Sequence, residues 1–235
     1  MNDGLKKTEE TELQERMAHI GRLSAGIGHN IMTPLSLIMM NADLLTMKLK
    51  GDEGYASHLE EIIHQASLIS KIAETMMWKV KTEEQTTPAQ IQFGSFVQQN
   101  LDFWMGDMFF KHKLDKDFRI NPHTPSIAGI PFHFTSFIDE WILSIIQRAE
   151  PRNGGSLSVM ADVDGENNRL FLQFEDNLPL PPEAHMKALE NGGGDPRLKE
   201  FYPALARLLE QTSAMLEVSP LPGEGLKLRL TWSLD

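Results

Sequence analysis

Apolar residues recur at steps of three and four along the first third of the chain. From about residue 8 to 50 they trace a heptad seam through Leu13, Met17, Ile20, Ile27, Ile31, Ile38 and Leu45, with Ser24, Pro34 and Asn41 as small or polar interruptions. A repeat sustained over that length predicts one long helix of roughly 40 residues, about 60 Å at 1.5 Å per residue. Lys50-Gly51-Asp52-Glu53-Gly54 breaks the pattern, and a second seam runs from Leu59 through Ile62, Ala66, Ile69, Ala73 and Met76 to Val80. The two segments read as an antiparallel helical hairpin. Ile63, Ile72 and Met77 widen the second stripe beyond what one neighbouring helix covers. The pattern therefore predicts a homodimer, two hairpins closing a four-helix bundle.

Thr82–Gln90 has no apolar residue larger than alanine and contains Pro88, so it reads as a linker. That divides the chain into a helical hairpin over residues 1–85 and a second domain over residues 86–235. In the second domain, helices are expected at about Phe93–His112 and Pro131–Glu150, flanking short strand-like pieces. Leu157–Val163 and Leu170–Phe174 alternate with a period of two around the turn Asp164-Gly165-Glu166-Asn167-Asn168, as paired strands do. A helix over Pro196–Gln211 follows, then strands at Met215–Val218 and Leu226–Trp232 around Gly223-Glu224-Gly225. The expected fold class is α plus α/β: a long antiparallel hairpin forming a dimeric four-helix bundle, followed by an α/β sandwich.

Charge and composition narrow the partners. The 235 residues carry a formal net charge of −11, with 33 acidic against 22 basic side chains. No local run of Lys and Arg offsets that field, which argues against a nucleic-acid partner. Cysteine is absent, so disulfides, thiolate metal sites and cysteine nucleophiles are excluded together. The longest apolar stretch, near Leu35–Met40, is far short of the roughly 18–20 residues that span a bilayer. The opening MNDGLKKTEE also has no apolar core of a signal peptide. The expectation is a cytoplasmic chain without membrane insertion.

With Ile27 and Ile31 at seam positions d and a, His29 falls at position f, the outward point of the heptad. Thr33 lies four residues on, above the same face, and Asn30 flanks the histidine. Pro34 removes the backbone hydrogen bond to residue 30 and loosens the helix there. Gly26 and Gly28 leave the approach uncluttered. The other seven histidines have no partner at ligand spacing, and no metal site is predicted.

The segment Gly21-Arg22-Leu23-Ser24-Ala25-Gly26-Ile27-Gly28-His29-Asn30-Ile31-Met32-Thr33-Pro34-Leu35 resembles the H-box of sensor histidine kinases. The order of hairpin and α/β domain resembles that family over nearly the whole chain. The resemblance implies that His29 is a phosphoryl acceptor and that Thr33 occupies the position that orients water when a response regulator is dephosphorylated. It also exposes departures. Asn30 stands where the family usually has an acidic base, and cannot accept that proton. Ser144 and Arg148 occupy the places of two asparagines that position magnesium and phosphates, and a guanidinium cannot ligate magnesium. Asp176, at the position that bonds the adenine amine, is retained, but Leu178 and Leu180 replace spaced glycines. The stretch up to Gly192-Gly193-Gly194 has room for a short helix only, in place of a long ATP lid. Gly192 and Gly194 are candidates for a vestigial phosphate loop, a flexible turn being the plainer reading.

The resemblance thus implies a histidine-kinase ATPase type of sandwich whose nucleotide site is degenerate. In the leading reading the chain needs no cofactor. His29 then exchanges a phosphoryl group with the aspartate of a response-regulator receiver domain, the expected partner beside the homodimer. Two alternatives stay open: an active kinase using ATP and magnesium, and a non-catalytic scaffold or a phosphatase acting through Thr33.

Overall fold

The computed structural model describes residues 30–31, 33–38, 40–41, 44–45, 55–221 and 224–234. All the described residues from 30 to 45 are helical; the rest of the expected first helix, His29 included, lies outside the described residues. The second seam forms α1 (Tyr55–Glu84). The chain divides into two compact units: residues up to Met77 together with Phe103–Met108, and Trp78–Asp102 together with Phe109–Asp235. In the first, the side chains of His58 and Asn41 share a hydrogen bond of 2.9 Å, joining α1 to the helical segment before it. No helix among the described residues is long and apolar enough to cross a membrane.

After α1 come β1 (Ala89–Gln92), α2 (Phe93–Trp104), α3 (Met108–Lys113), β2 (Leu114–Ile120), β3 (Ser126–Gly129) and α4 (Pro131–Ala149). They are followed by β4 (Gly155–Asp164), β5 (Arg169–Asp176), α5 (Glu183–Asn191), α6 (Pro196–Phe201), α7 (Pro203–Gln211), β6 (Met215–Pro220) and β7 (Leu226–Ser233). β1 and β3 pair antiparallel, and the main sheet has the order β2-β4-β5-β7-β6. Its β2–β4 pair is parallel and the remainder antiparallel. The result is a mixed sheet with helices on one face.

Strand alternation explains that one-sidedness. Leu157, Val159 and Ala161 of β4, Leu170, Leu172 and Phe174 of β5, and Leu226, Leu228 and Leu230 of β7 are at most 1% exposed, on every second residue, while Phe171 and Gln173 between them on β5 keep 8%. α4 covers them with Phe134, Phe137, Ile138, Trp141, Ile142 and Ile145, spaced three and four apart. Phe137 meets Phe174 edge-on at 6.0 Å and 81°, and Phe93 of α2 meets Trp232 at 5.1 Å. These are the offset geometries that the aromatic quadrupole favours, and each fully buried ring contributes about 1.5–3 kcal/mol by area alone.

Three element boundaries differ from the expected ones, each for a local reason. α1 continues to Glu84 through part of the supposed linker. Its polar residues are consumed there: Thr82 donates to the carbonyl of Trp78 at 2.8 Å, and the Lys79 ammonium is buried against Asp139 at 2.7 Å. The helix expected over Phe93–His112 is two helices, separated by a turn closed by Gly106 N to Phe103 O at 3.0 Å and Asp107 N to Trp104 O at 2.9 Å. The helix expected over Pro196–Gln211 breaks at Tyr202 (φ −139°, ψ 66°), because Pro203 disfavours the helical conformation in the residue before it.

Gly225 opens β7 with φ +132°, and a β-carbon there would collide with the carbonyl of Asp176. Gly225→Ala is accordingly expected to lower stability by about 1–3 kcal/mol from backbone strain alone. Denaturant titration measures it, and an unchanged midpoint would contradict this account of the turn.

Candidate functional site

In the first unit, Asn30, Thr33 and Pro34 are helical; Thr33 is exposed, Pro34 buried and Asn30 half-buried. The Asn30 side-chain amide donates to the carbonyl of Met105 at 3.5 Å. His29, the predicted acceptor, lies outside the described residues.

In the second unit, α4 carries a polar stripe at Glu140, Ser144 and Arg148, spaced i, i+4, i+8 and so aligned on one face. Every member has an internal partner. The Glu140 carboxylate accepts from the backbone N–H groups of Ala204 and Leu205 at 3.0 and 2.9 Å, which caps the first turn of α7. The hydroxyls of Ser144 and Tyr202 are hydrogen-bonded, and burial pushes the Tyr202 phenol above its ordinary pKa. Arg148 grips Asp176 with two parallel hydrogen bonds, Nη1 to Oδ1 at 3.0 Å and Nη2 to Oδ2 at 2.6 Å, and also donates to the carbonyl of Pro179. The pair is enclosed, its side chains 10% and 1% exposed.

Ser144, Arg148 and Asp176 therefore come together as sequence reasoning placed them, but bonded to one another and to neighbouring elements. The Leu178 N–H takes a further bond to Asp176 Oδ1 at 3.0 Å. The Leu178 side chain is buried against Gly155, where a β-carbon would strike it. Both carboxylate oxygens that would face an adenine amine are thus engaged, and a guanidinium stands where magnesium would need a hard oxygen. The open cleft beside Asp176 and Asn177, about 360 Å³, is lined by the carboxylates of Asp115, Asp117, Glu175 and Glu224 and by Lys116, whose ammonium already donates to the carbonyls of Phe110 and Lys111. Carboxylates repel a triphosphate. These residues do not fit a magnesium nucleotide.

Gly192 and Gly194 belong to a single 3-10 turn at the end of α5. Gly192, at φ +62°, closes that helix by donating to the carbonyls of Ala188 and Leu189. A β-carbon on either glycine would meet nothing, so neither marks a close backbone approach. The turn is pinned by Asp195, which accepts from Asn191, from the Arg197 backbone and from the Arg197 guanidinium at 2.6 Å. Those bonds, the Arg197 side chain first, hold its carboxyl well below the usual carboxylate range.

Sequence reasoning missed Glu140 and Tyr202. The helical spacing of Glu140 to Ser144 and Arg148 was a readable signal for the first. Nothing local announces Tyr202, whose role depends on a chain reversal at Pro203.

No protein-family model matches the chain, and no curated protein matches it. Among solved structures, it is similar to the Acinetobacter baumannii histidine kinase AdeS, with 15% identity and a TM-score of 0.46, covering 88% of this chain and 98% of that one. It is similar to full-length ShkA, solved in complex with AMPPNP, at 11% identity and a TM-score of 0.47, over 90% of this chain and 45% of that one. A bacterial phosphotransferase shares 13% identity at a TM-score of 0.40, over 89% of this chain and 94% of that one. Several of the solved structures to which the chain is similar are of histidine kinase domains.

Proposed function

We propose that this protein is a phosphorelay component of two-component signalling, in which His29 accepts a phosphoryl group from the aspartate of a receiver domain and passes it on. The observation that carries the reading is the α4 stripe. Glu140, Ser144 and Arg148 bond to α7, Tyr202 and Asp176, so the residues at the nucleotide positions are engaged with one another, which favours the H-box as the place of the chemistry. In the transfer, the lone pair of the unprotonated imidazole nitrogen forms the N–P bond. The acyl O–P bond breaks, and its electron pair returns to the receiver's carboxylate. The reverse step loads the next receiver.

The apolar residues Ile63, Met77 and Val80 of α1, 64%, 74% and 57% exposed, support a homodimer closed through the helical hairpin. The exposure of Thr33 favours a second use of the same surface, release of the receiver's phosphoryl group to water. The test is phosphoryl uptake from a phosphorylated receiver. Wild type is expected to gain acid-labile phosphate and His29→Gln to gain none; equal labelling of both would exclude His29. Loss of receiver phosphate to water that depends on Thr33, without labelled protein, would favour the second use.

A further inference from the structure

Two of the chain's asparagines precede glycine, Asn153-Gly154 and Asn191-Gly192. In that dipeptide the backbone nitrogen reaches the preceding carboxamide most readily, because glycine has no β-carbon to obstruct the approach. The fold protects the two pairs unequally. Asn191 donates from its carboxamide to Asp195 Oδ2 at 3.0 Å, and Asp195 is itself buried and fixed by Arg197. The Gly192 N–H is shared between the carbonyls of Ala188 and Leu189. Both reacting groups of that pair are occupied. Asn153 instead closes the 3-10 turn Glu150–Arg152 after α4, in the left-handed conformation at φ 55°, ψ 30°. It is exposed, and its carboxamide has no partner among the described residues. The Gly154 N–H makes one bond, to the Ala149 carbonyl at 3.2 Å, the long end of the N–H···O range. A small local opening frees it.

We propose that Asn153 is a site of spontaneous deamidation, with water as the co-reactant. The Gly154 nitrogen gives up its proton and bonds to the carboxamide carbon of Asn153. The bond from that carbon to the side-chain nitrogen breaks, and ammonia leaves with the proton. Water then opens the resulting cyclic imide at either carbonyl, giving aspartate or β-linked isoaspartate at position 153. The turn tolerates these products differently. Aspartate adopts the left-handed conformation as asparagine does. Isoaspartate inserts a backbone carbon just before Gly154, which has φ +157° and where a β-carbon would lie 2.8 Å from the Lys113 carbonyl. A turn packed that closely has no slack for the extra atom. Isomerisation therefore loosens the entry to β4, where Gly155 pairs with Leu114 of β2. The proposal is independent of the phosphorelay reading.

The experiment ages the full-length protein in warm neutral buffer and follows both sites by peptide mapping with mass spectrometry. In the folded protein, Asn153 is expected to convert about tenfold faster than Asn191, whose two further hydrogen bonds must open first. In concentrated urea the two sites should convert at similar rates, which ties the difference to the fold. Aged wild type should also acquire a lower-melting fraction that contains isoaspartate at position 153. Asn153→Gly, which keeps the left-handed conformation without a carboxamide, should acquire none. Equal conversion of the two sites in the folded protein would overturn the proposal, as would an intact Asn153 after a time in which the urea sample has converted. Isoaspartate at position 153 with an unchanged melting temperature would overturn the account of the turn.

Discussion

Replacing Arg148 by alanine is expected to lower the unfolding free energy by about 3–5 kcal/mol, because it strands a buried carboxylate. Asp176 is 1% exposed and receives both guanidinium nitrogens. Once Arg148 is gone its one remaining recorded donor is the Leu178 N–H. A loss of that size shifts the melting temperature of a domain this large by on the order of 10 °C. The double variant Arg148→Met, Asp176→Leu separates a lost attraction from a stranded charge. Desolvating both ions offsets much of their mutual attraction, so the double variant should recover most of the stability. A surface pair would behave otherwise, and an Arg148→Ala effect below about 1 kcal/mol would place this pair in that class.

Lys79→Met should be comparably damaging. The Lys79 ammonium, 4% exposed, donates to both oxygens of Asp139 at 2.8 and 2.7 Å and also to Thr135 and Asn100. Thr135 in turn donates to Asn100 at 2.6 Å, and Asn100 to the Phe96 carbonyl. Removing the cation leaves a carboxylate facing a hydroxyl and an amide that were oriented around it, at a cost of about 3–5 kcal/mol. The network joins the last turns of α1 to α2 and α4. Chemical denaturation of Lys79→Met, Asp139→Leu and the pair gives the interaction energy from a double-mutant cycle. Additive losses would show that the residues act independently and would contradict the network.

Periodicity made the core legible. The alternation in β4, β5 and β7 and the three-four spacing in α4 identify the faces that pack, since burial of apolar side chains is a local pattern with a local period. Partners were less legible. Arg148 and Asp176 were each singled out as nucleotide-site positions, yet nothing in either segment reveals that they bond to each other across 28 residues. The end of α1 runs past the expected boundary for a related reason: Thr82–Glu84 look like the start of a solvated linker, yet they continue a helix whose preceding turn is held by the buried Lys79–Asp139 pair. The role proposed for His29 rests on the surrounding H-box sequence, because a histidine at an outward helical position is by spacing alone an ordinary surface residue.

The central claim is that the chain handles phosphoryl groups at His29 without a nucleotide. It is tested most directly by offering the same protein two donors, magnesium ATP and a phosphorylated receiver domain, and counting acid-labile phosphate on wild type and His29→Gln. The account predicts labelling from the receiver, none from ATP, and none of either on His29→Gln. Labelling of His29 by ATP at a rate matching the receiver would contradict it.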